Sequence, residues 1–166
     1  PYLKKKFLKY EDFKNATMKD IFSEEQIASA LKLEARILET SLLINNGNAP
    51  WNIKPLPMEA QFSPVYAIEA ADFNSDGIND LIMGGNLYRV KPEIGRYDAS
   101  HGIFLSGDGK GKFLPESSVK SGINIDGEIR DFSILKTGKS ENLILISRNN
   151  LPALMYRYPS PKNRKP

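Results

Sequence analysis

Cysteine is absent from this chain of 166 residues, and histidine and tryptophan occur once each. The lack of cysteine excludes disulfide bonds, thiolate metal ligands and a thiol nucleophile. Because His101 is the single imidazole, we expect neither a histidine-rich metal site nor a catalytic triad with a separate base. No apolar run approaches the roughly 18 residues that a membrane-spanning helix requires. The sequence therefore predicts no membrane span and no thiol, zinc or triad chemistry.

The chain carries little net charge. Lys and Arg total 23 and Asp and Glu total 20, which gives +3 at pH 7. The surplus lies near the C-terminus, where residues 157–165 contain basic residues and no acid, and we predict that residues 159–166 form a flexible basic tail. The run Lys4–Lys6 is offset by Glu11 and Asp12, which favours a solvated helix face over a nucleic-acid-binding patch. We therefore expect no nucleic-acid partner.

Residues 1–40 have the pattern of a helical segment. Ser23 is followed three residues later by Gln26, a capping-box pattern that predicts a helix start, and Thr17 with Asp20 predicts a shorter one. Apolar residues then recur at spacings of three and four from residue 27 to residue 42, and this period predicts a helix with one buried face. These residues are Ile27, Ala30, Leu31, Ala35, Leu38 and Leu42.

After residue 40 short apolar runs alternate with clusters of Gly, Asn and Asp, a pattern typical of strands joined by tight turns. The predicted strands are Leu42–Ile44, Val65–Ala71, Leu81–Met83, Ile103–Leu105, Ile129–Leu135, Leu143–Ile146 and Leu154–Tyr158. The sequence therefore predicts a mainly β chain with an N-terminal α-helical segment.

This β region contains an internal repeat of about 60 residues. Gly47 and Trp51 align with Gly109 and Phe113, and each pair marks a glycine turn followed by an aromatic residue. Further along, Asp72 aligns with Asp131 and Leu81 aligns with Leu143. A unit of this length with about four strands has the size of one β-propeller blade. We predict a first blade at residues 41–101 and a second at residues 102–158.

The segment from Asp72 to Asp80 carries the most specific chemical signal. Its oxygen-bearing side chains stand at relative positions 1, 3, 5 and 9, and Gly77 permits the sharp turn that would bring them together. Only oxygen donors are present, which favours Ca²⁺ and excludes zinc. An EF-hand is excluded because its twelfth position holds Met83 in place of glutamate. An acidic turn that holds no ion is the alternative.

Two strings of the sequence, residues 71–82 and residues 104–113, resemble the FG-GAP (VCBS-type) repeat, the blade unit of integrin-α-like β-propellers. This resemblance implies two blades of a partial propeller and a Ca²⁺ site. The predicted metal ligands are the side chains of Asp72, Asn74, Asp76 and Asp80 and the carbonyl of Ile78. In the second unit Leu135 occupies the third ligand position, so that unit is expected to bind no calcium. The chain is also similar to the C-terminal part of large secreted VCBS-repeat proteins with a helical insertion.

The resemblance implies a non-enzymatic, calcium-stabilised module for recognition, adhesion or scaffolding at an extracellular, cell-surface or periplasmic location. Its partners would be a protein or carbohydrate ligand and the remaining blades of a longer chain. The first alternative is a propeller-type hydrolase or lyase acting on a polysaccharide, with Glu69, Glu93 or Asp98 beside His101. The second is an assembly module that uses the helix from Ile27 to Leu42.

The connection from Asn86 to Gly102 is the best sequence candidate for a ligand-facing loop, because long loops on rigid β scaffolds often carry binding residues. Trp51 is expected to pack on a strand face. The run Gly107–Lys112 is predicted to be a hairpin turn, because it lacks the spacing and the following helix of a phosphate-binding loop.

Overall fold

A computed structural model describes residues 2–138 and 141–159. It divides the chain into two compact units, residues 1–38 and residues 39–166. The predicted flexible tail lies, from residue 160 onward, outside the described residues. Within the described part of the chain no helix is long and apolar enough to cross a membrane.

The first unit consists of four short helices, α1 (Tyr2–Lys6), α2 (Tyr10–Lys14), α3 (Met18–Ile21) and α4 (Glu24–Ser29). The two predicted capping motifs are confirmed. The Ser23 hydroxyl accepts from the Gln26 amide at 3.2 Å, and the Gln26 side chain accepts in return from the Ser23 amide at 3.0 Å. Asp20 accepts from the amide of Thr17 at 2.8 Å. These bonds satisfy amide groups that the first turn of a helix leaves without partners.

The predicted amphipathic helix up to Leu42 is wrong beyond its first turns. Helix α4 ends at Ser29, residues 30–38 have no regular secondary structure, and no residue between 2 and 38 is buried. Leu31 is 83% exposed although it belongs to the apolar face that should be buried. A short helix is marginal in water unless its apolar face packs against another element, and the period alone supplies no such partner.

The second unit is mainly β, as predicted, and its strands form three antiparallel sheets. We call them the hairpin sheet, the central sheet and the C-terminal sheet. The hairpin sheet contains β1 (Ser41–Ile44) and β2 (Asn52–Pro55). The central sheet contains β3 (Val65–Ala71), β4 (Asp80–Gly85), β5 (Ile103–Gly107) and β6 (Phe113–Glu116). The C-terminal sheet contains β7 (Glu128–Lys136), β8 (Glu141–Asn149) and β9 (Leu151–Pro159).

All seven predicted strands are present, and the bounds of β3 are the predicted ones. The short strands β2 and β6 are not among the predicted apolar runs. A 3-10 turn at Met58–Gln61 precedes β3, and a one-turn helix, α5 (Ser118–Ser121), follows β6. The three sheets do not close into a ring, so the structure shows the mainly β class, and the propeller stays a prediction.

The central sheet contributes to a hydrophobic core on each of its two faces. One face packs against the C-terminal sheet and brings Ile82 together with Ile129, Phe132 and Ile144. The opposite face forms a second core in which Met83 and Leu105 pack with residues from the hairpin sheet and the segment that follows it. β4 contributes to both cores because successive side chains of a strand point to opposite faces.

The sheet boundaries do not follow the predicted blade boundary at residues 101 and 102. β5 and β6 follow that boundary in sequence but pair with β3 and β4 in one sheet. The predicted first unit holds the two strands of the hairpin sheet together with β3 and β4, and the predicted second unit holds β5 and β6 together with the three strands of the C-terminal sheet.

Asp72 and Asp131, which the predicted repeat aligns, do not occupy equivalent positions in the structure. Asp131 lies within β7 opposite Ser147, whereas Asp72 lies in the turn that follows β3. Both strand pairs carry a bulge near their beginning, between Val65 and Ala67 in one case and between Ile129 and Asp131 in the other. Matching the bulges aligns Ala67 with Asp131. A bulge is a fixed local kink, so it marks equivalent positions better than a shared residue type does.

Candidate functional site

The loop from Asp72 to Asn79 connects β3 to β4 at one end of the central sheet, and the last strand pair before it is Ala71 with Asp80. Two residues of the loop have left-handed backbone angles, Ser75 with φ 66° and Gly77 with φ 87°. Glycine adopts this conformation without steric cost, whereas serine does so at a cost that the local structure must compensate. These two reversals curl the chain so that its polar side chains turn toward the inside of the loop.

The first three predicted ligand side chains converge on backbone amides within the loop. The two carboxylate oxygens of Asp72 accept from the amides of Asp76 at 3.0 Å and Gly77 at 2.9 Å. The side-chain oxygen of Asn74 also accepts from the Asp76 amide, at 2.9 Å. Asp76 in turn accepts from the amide of Ile78 at 2.8 Å. Asp72 and Asn74 are thus gathered at one amide, inside a single tight turn.

Asp80 holds the other side of the site and is completely buried. Its carboxylate accepts from the amide of Phe73 at 3.2 Å and from the amide of Gly107, on β5, at 3.0 Å. Burial raises the pKa of Asp80, and the charge of Asp76 acts in the same direction, while bonds from the amides of Gly107, Phe73 and Asn74 oppose them. No basic side chain of the described residues forms an ion pair with Asp80. A buried carboxylate without a cation is costly, which makes this position suited to a metal ion.

The donor chemistry of the loop fits Ca²⁺. All the predicted donors are oxygens, and a carboxylate oxygen that accepts one amide bond keeps acceptor capacity for a second partner. Within the described residues, no three or more His, Cys, Asp or Glu side chains are grouped closely enough to hold a metal ion. The three predicted carboxylates, Asp72, Asp76 and Asp80, are therefore not gathered at one point, and their oxygens accept from backbone amides instead. The amide oxygen of Asn74 and the carbonyl of Ile78 complete the predicted donor set. The site would therefore combine carboxylate, amide and backbone oxygens.

Two residues that the sequence did not mark as part of the site position the loop. Phe73 is 6% exposed, and its ring makes edge contacts with Phe104 of the central sheet at 6.2 Å and Tyr158 of the C-terminal sheet at 4.9 Å. Gly107 allows the loop to approach β5, since a Cβ atom there would lie 2.2 Å from the carbonyl oxygen of Asn79. An apolar residue in an otherwise polar loop indicates a packing contact, so the contact of Phe73 with the two sheets could have been predicted from the sequence. The contact of Gly107 with the loop could not be predicted, because Gly107 and Asn79 are far apart in the sequence.

The connection from Asn86 to Gly102 is held by buried polar contacts. The side chain of Asn86, which is 2% exposed, accepts from the Ser63 hydroxyl at 2.7 Å and donates to the carbonyl of Ser100 at 2.7 Å. Leu87 pairs with Tyr97 as an isolated β-bridge. These hydrogen bonds order the segment, but its charged side chains are not grouped into a binding site.

Glu128 is a buried carboxylate outside the loop, and the sequence did not predict it. It is 3% exposed and accepts from the amide of Tyr88 at 3.0 Å, the side chain of Asn149 at 2.8 Å and the guanidinium of Arg130 at 2.6 Å. The bond from Tyr88 is the largest of the effects that lower the pKa of Glu128, and Asn149 and Arg130 lower it further against the cost of burial. This network joins the loop that contains Tyr88 to β7 and β8.

The candidate catalytic residues are not gathered around the histidine. His101 instead lies 2.7 Å from Asp126, and the two side chains are 58% and 80% exposed. Glu93 and Asp98 are exposed, and Glu69 lies half-buried in β3. A general acid or base works in a pocket that can hold a substrate, and this pair lies at the surface.

Two smaller predictions have different outcomes. Trp51, which was expected to pack on a strand face, is 57% exposed. The run Gly107–Lys112 is confirmed as a hairpin turn between β5 and β6, in which Asp108 accepts from the amides of Lys110 at 2.7 Å and Lys112 at 2.9 Å.

Comparisons of the chain with models of protein families, with curated proteins and with solved structures give no match. The case for a function therefore depends on the geometry of the loop and of the sheets around it.

Proposed function

We propose that the chain is a calcium-stabilised part of a β-propeller that serves in recognition, adhesion or scaffolding outside the cytoplasm, without catalysing a reaction. In this interpretation the central sheet is a complete blade. The hairpin sheet supplies two strands of the preceding blade, and the C-terminal sheet supplies three strands of the following one.

One observation carries the proposal: a four-stranded antiparallel meander, which contributes to a hydrophobic core on each of its two faces, has the acidic loop at its first hairpin. A propeller blade has the same strand number and order, and it also buries its two faces against adjacent blades. The resemblance of residues 71–82 to the FG-GAP repeat agrees with the position of this loop.

The proposed role of calcium is structural. Asp72 and Asp76 lie in the turn after β3, Asp80 begins β4, and Asp80 also accepts from Gly107 on β5. An ion bound among these residues would neutralise the buried charge of Asp80 and hold three strands of one sheet together. Because such an ion binds only the folded state, it stabilises by mass action, by about 2.7 kcal/mol at 100 times its Kd.

Uncovered apolar side chains support neighbouring blades as partners. Leu43 and Ile53, which face each other across β1 and β2, are 51% and 46% exposed. On β3, Ile68 is 53% exposed, and Tyr66, whose ring contacts the guanidinium of Arg130 on β7, is still 49% exposed. Clusters of exposed apolar residues of this kind mark surfaces that pack against other protein. The remaining blades of a longer chain would cover them.

The test is thermal unfolding with excess chelator and with millimolar Ca²⁺, for the native chain and for an Asp76→Ala variant. We expect calcium to raise the midpoint of the native chain by several degrees and to leave the midpoint of the variant unchanged. Asp131→Ala is the matched control, because Asp131 is an exposed carboxylate on β7, outside the loop. It should retain the calcium response. A native chain with no response would contradict the proposal.

A further inference from the structure

Residues 31–37 lie between α4 and β1 in the chain and have no regular secondary structure. Every residue of this segment is exposed, and Leu31 and Leu33 are 83% and 81% exposed. The segment makes no backbone hydrogen bond to any other described residue. It is therefore accessible along its whole length, and no backbone hydrogen bond has to be broken before another molecule can bind it.

Ion pairs within the segment show that its backbone is extended. Glu34 contacts the ammonium group of Lys32 at 3.9 Å and the guanidinium of Arg36 at 3.2 Å. Residues two positions apart share one side of an extended chain, whereas they do not face each other on a helix. Ala30, the C-cap of α4, already has extended backbone angles, with φ −72° and ψ 140°. Because the charged side chains are exposed, these ion pairs contribute little and dissociate easily.

We propose that residues 31–37 form a cleavage site for an endopeptidase that cuts after lysine or arginine, at Lys32 or Arg36. A polypeptide that binds in extended form pairs its backbone groups with a strand of its partner, and this segment already has that form with its backbone groups accessible. The proposal does not depend on the calcium site.

The reaction at Arg36 is hydrolysis of the peptide bond to Ile37. The C–N bond breaks, the carbonyl carbon of Arg36 gains the hydroxyl group of a water molecule, and the nitrogen of Ile37 gains its hydrogen. The products are a carboxylate on Arg36 and an ammonium group on Ile37. This cut separates the helices α1 to α4 from a fragment that keeps β1 to β9.

Most other basic residues of the described part of the chain lie in helices, strands or tight turns. Two exposed arginines, Arg89 and Arg96, belong to the connection between β4 and β5. There Leu87 and Tyr97 exchange backbone hydrogen bonds of 2.8 Å and 3.0 Å. A protease cuts such a site only after local unfolding, so the rate of cleavage falls with the population of the opened state. Cleavage within residues 31–37 needs no such opening.

The test is limited digestion of the full chain with trypsin, which cuts after lysine and arginine, with the products identified by mass spectrometry and N-terminal sequencing. We expect new N-termini within residues 31–37 to form at least about tenfold faster than any within residues 86–102. A double variant with Lys32→Gln and Arg36→Gln should lose this early cleavage. Arg89→Gln is the matched control, because it removes an exposed arginine from an ordered loop, and it should keep the early cleavage.

Three results would overturn the proposal. The first is cleavage within residues 86–102 as fast as cleavage within residues 31–37. The second is the same ratio of rates in two synthetic peptides, residues 28–40 and residues 86–102, because the preference would then lie in the sequence and not in the fold. The third is loss of the thermal transition of the sheets after the cut, which would show that cleavage unfolds the protein. Failure of the calcium site is detected separately, by the thermal midpoint of the uncut chain.

Discussion

At the scale of single residues, Asp80 connects the candidate calcium site to the stability of the fold. Burial raises its pKa above the ordinary value of 3.8, so the folded chain disfavours the ionised form. At a pH below 3.8 the carboxyl group is protonated in both the folded and the unfolded chain and has no effect. As the pH rises through the folded-state pKa, the ionised group increasingly destabilises the fold in the absence of calcium.

We predict that Asp80→Asn removes this pH dependence. With chelator present, the free energy of unfolding of the native chain relative to the variant should fall between pH 4 and pH 7. With Ca²⁺ the order should reverse at pH 7, because only the native carboxylate can bind the ion. Denaturant unfolding of both proteins at each pH provides the measurement. Parallel pH profiles with chelator would contradict the assignment.

Glu128 has the opposite electrostatic effect. Its pKa is lowered from the ordinary value of 4.5 by its bonds to Tyr88, Asn149 and Arg130. The stabilisation is therefore fully present above 4.5 and is lost as the pH falls through the folded-state pKa. Glu128→Gln should flatten the acid limb of the stability profile, whereas Glu93→Gln, at an exposed glutamate, should leave it unchanged. An unaltered acid limb in Glu128→Gln would show that the network has no electrostatic role.

At the scale of elements, the loop between β3 and β4 depends on Phe73. The ring is buried between Phe104 and Tyr158, so it fixes the loop to two sheets at once. Phe73→Ala should lower the free energy of unfolding by about 3–5 kcal/mol, the usual cost of removing a buried phenylalanine ring. Phe62→Ala is the control because Phe62 is 55% exposed. Chemical denaturation measures both, and a loss below about 1 kcal/mol for Phe73→Ala would argue against this anchoring.

The sequence predicted some elements well and others poorly, for identifiable reasons. The capping box at Ser23 depends on residues three positions apart, and β3 lies between clear turn signals. Both could therefore be predicted from the sequence. The helix expected beyond Ser29 depends on a packing partner that the periodicity cannot supply. The contact of Gly107 with the loop and the burial of Glu128 depend on residues far apart in the chain, which a single sequence does not pair.

At the scale of the whole molecule, the second unit, residues 39–166, is expected to fold without the first. Residues 2–38 contain no buried residue, whereas both hydrophobic cores lie after residue 39. A chain of residues 39–166 should therefore keep the thermal midpoint of the full chain, as measured by calorimetry. A midpoint lower by many degrees would show that the N-terminal helices contribute to the stability of the sheets.

The central claim is that calcium binds within the loop between β3 and β4. The most direct measurement is a titration of the full chain with Ca²⁺, followed through the backbone amide signals in NMR. We predict saturable shifts at residues 72–80 and at Gly107, whose amide donates to Asp80, and none at the turn between β7 and β8. Saturable shifts that avoid the loop, or no shifts at millimolar Ca²⁺, would contradict the account.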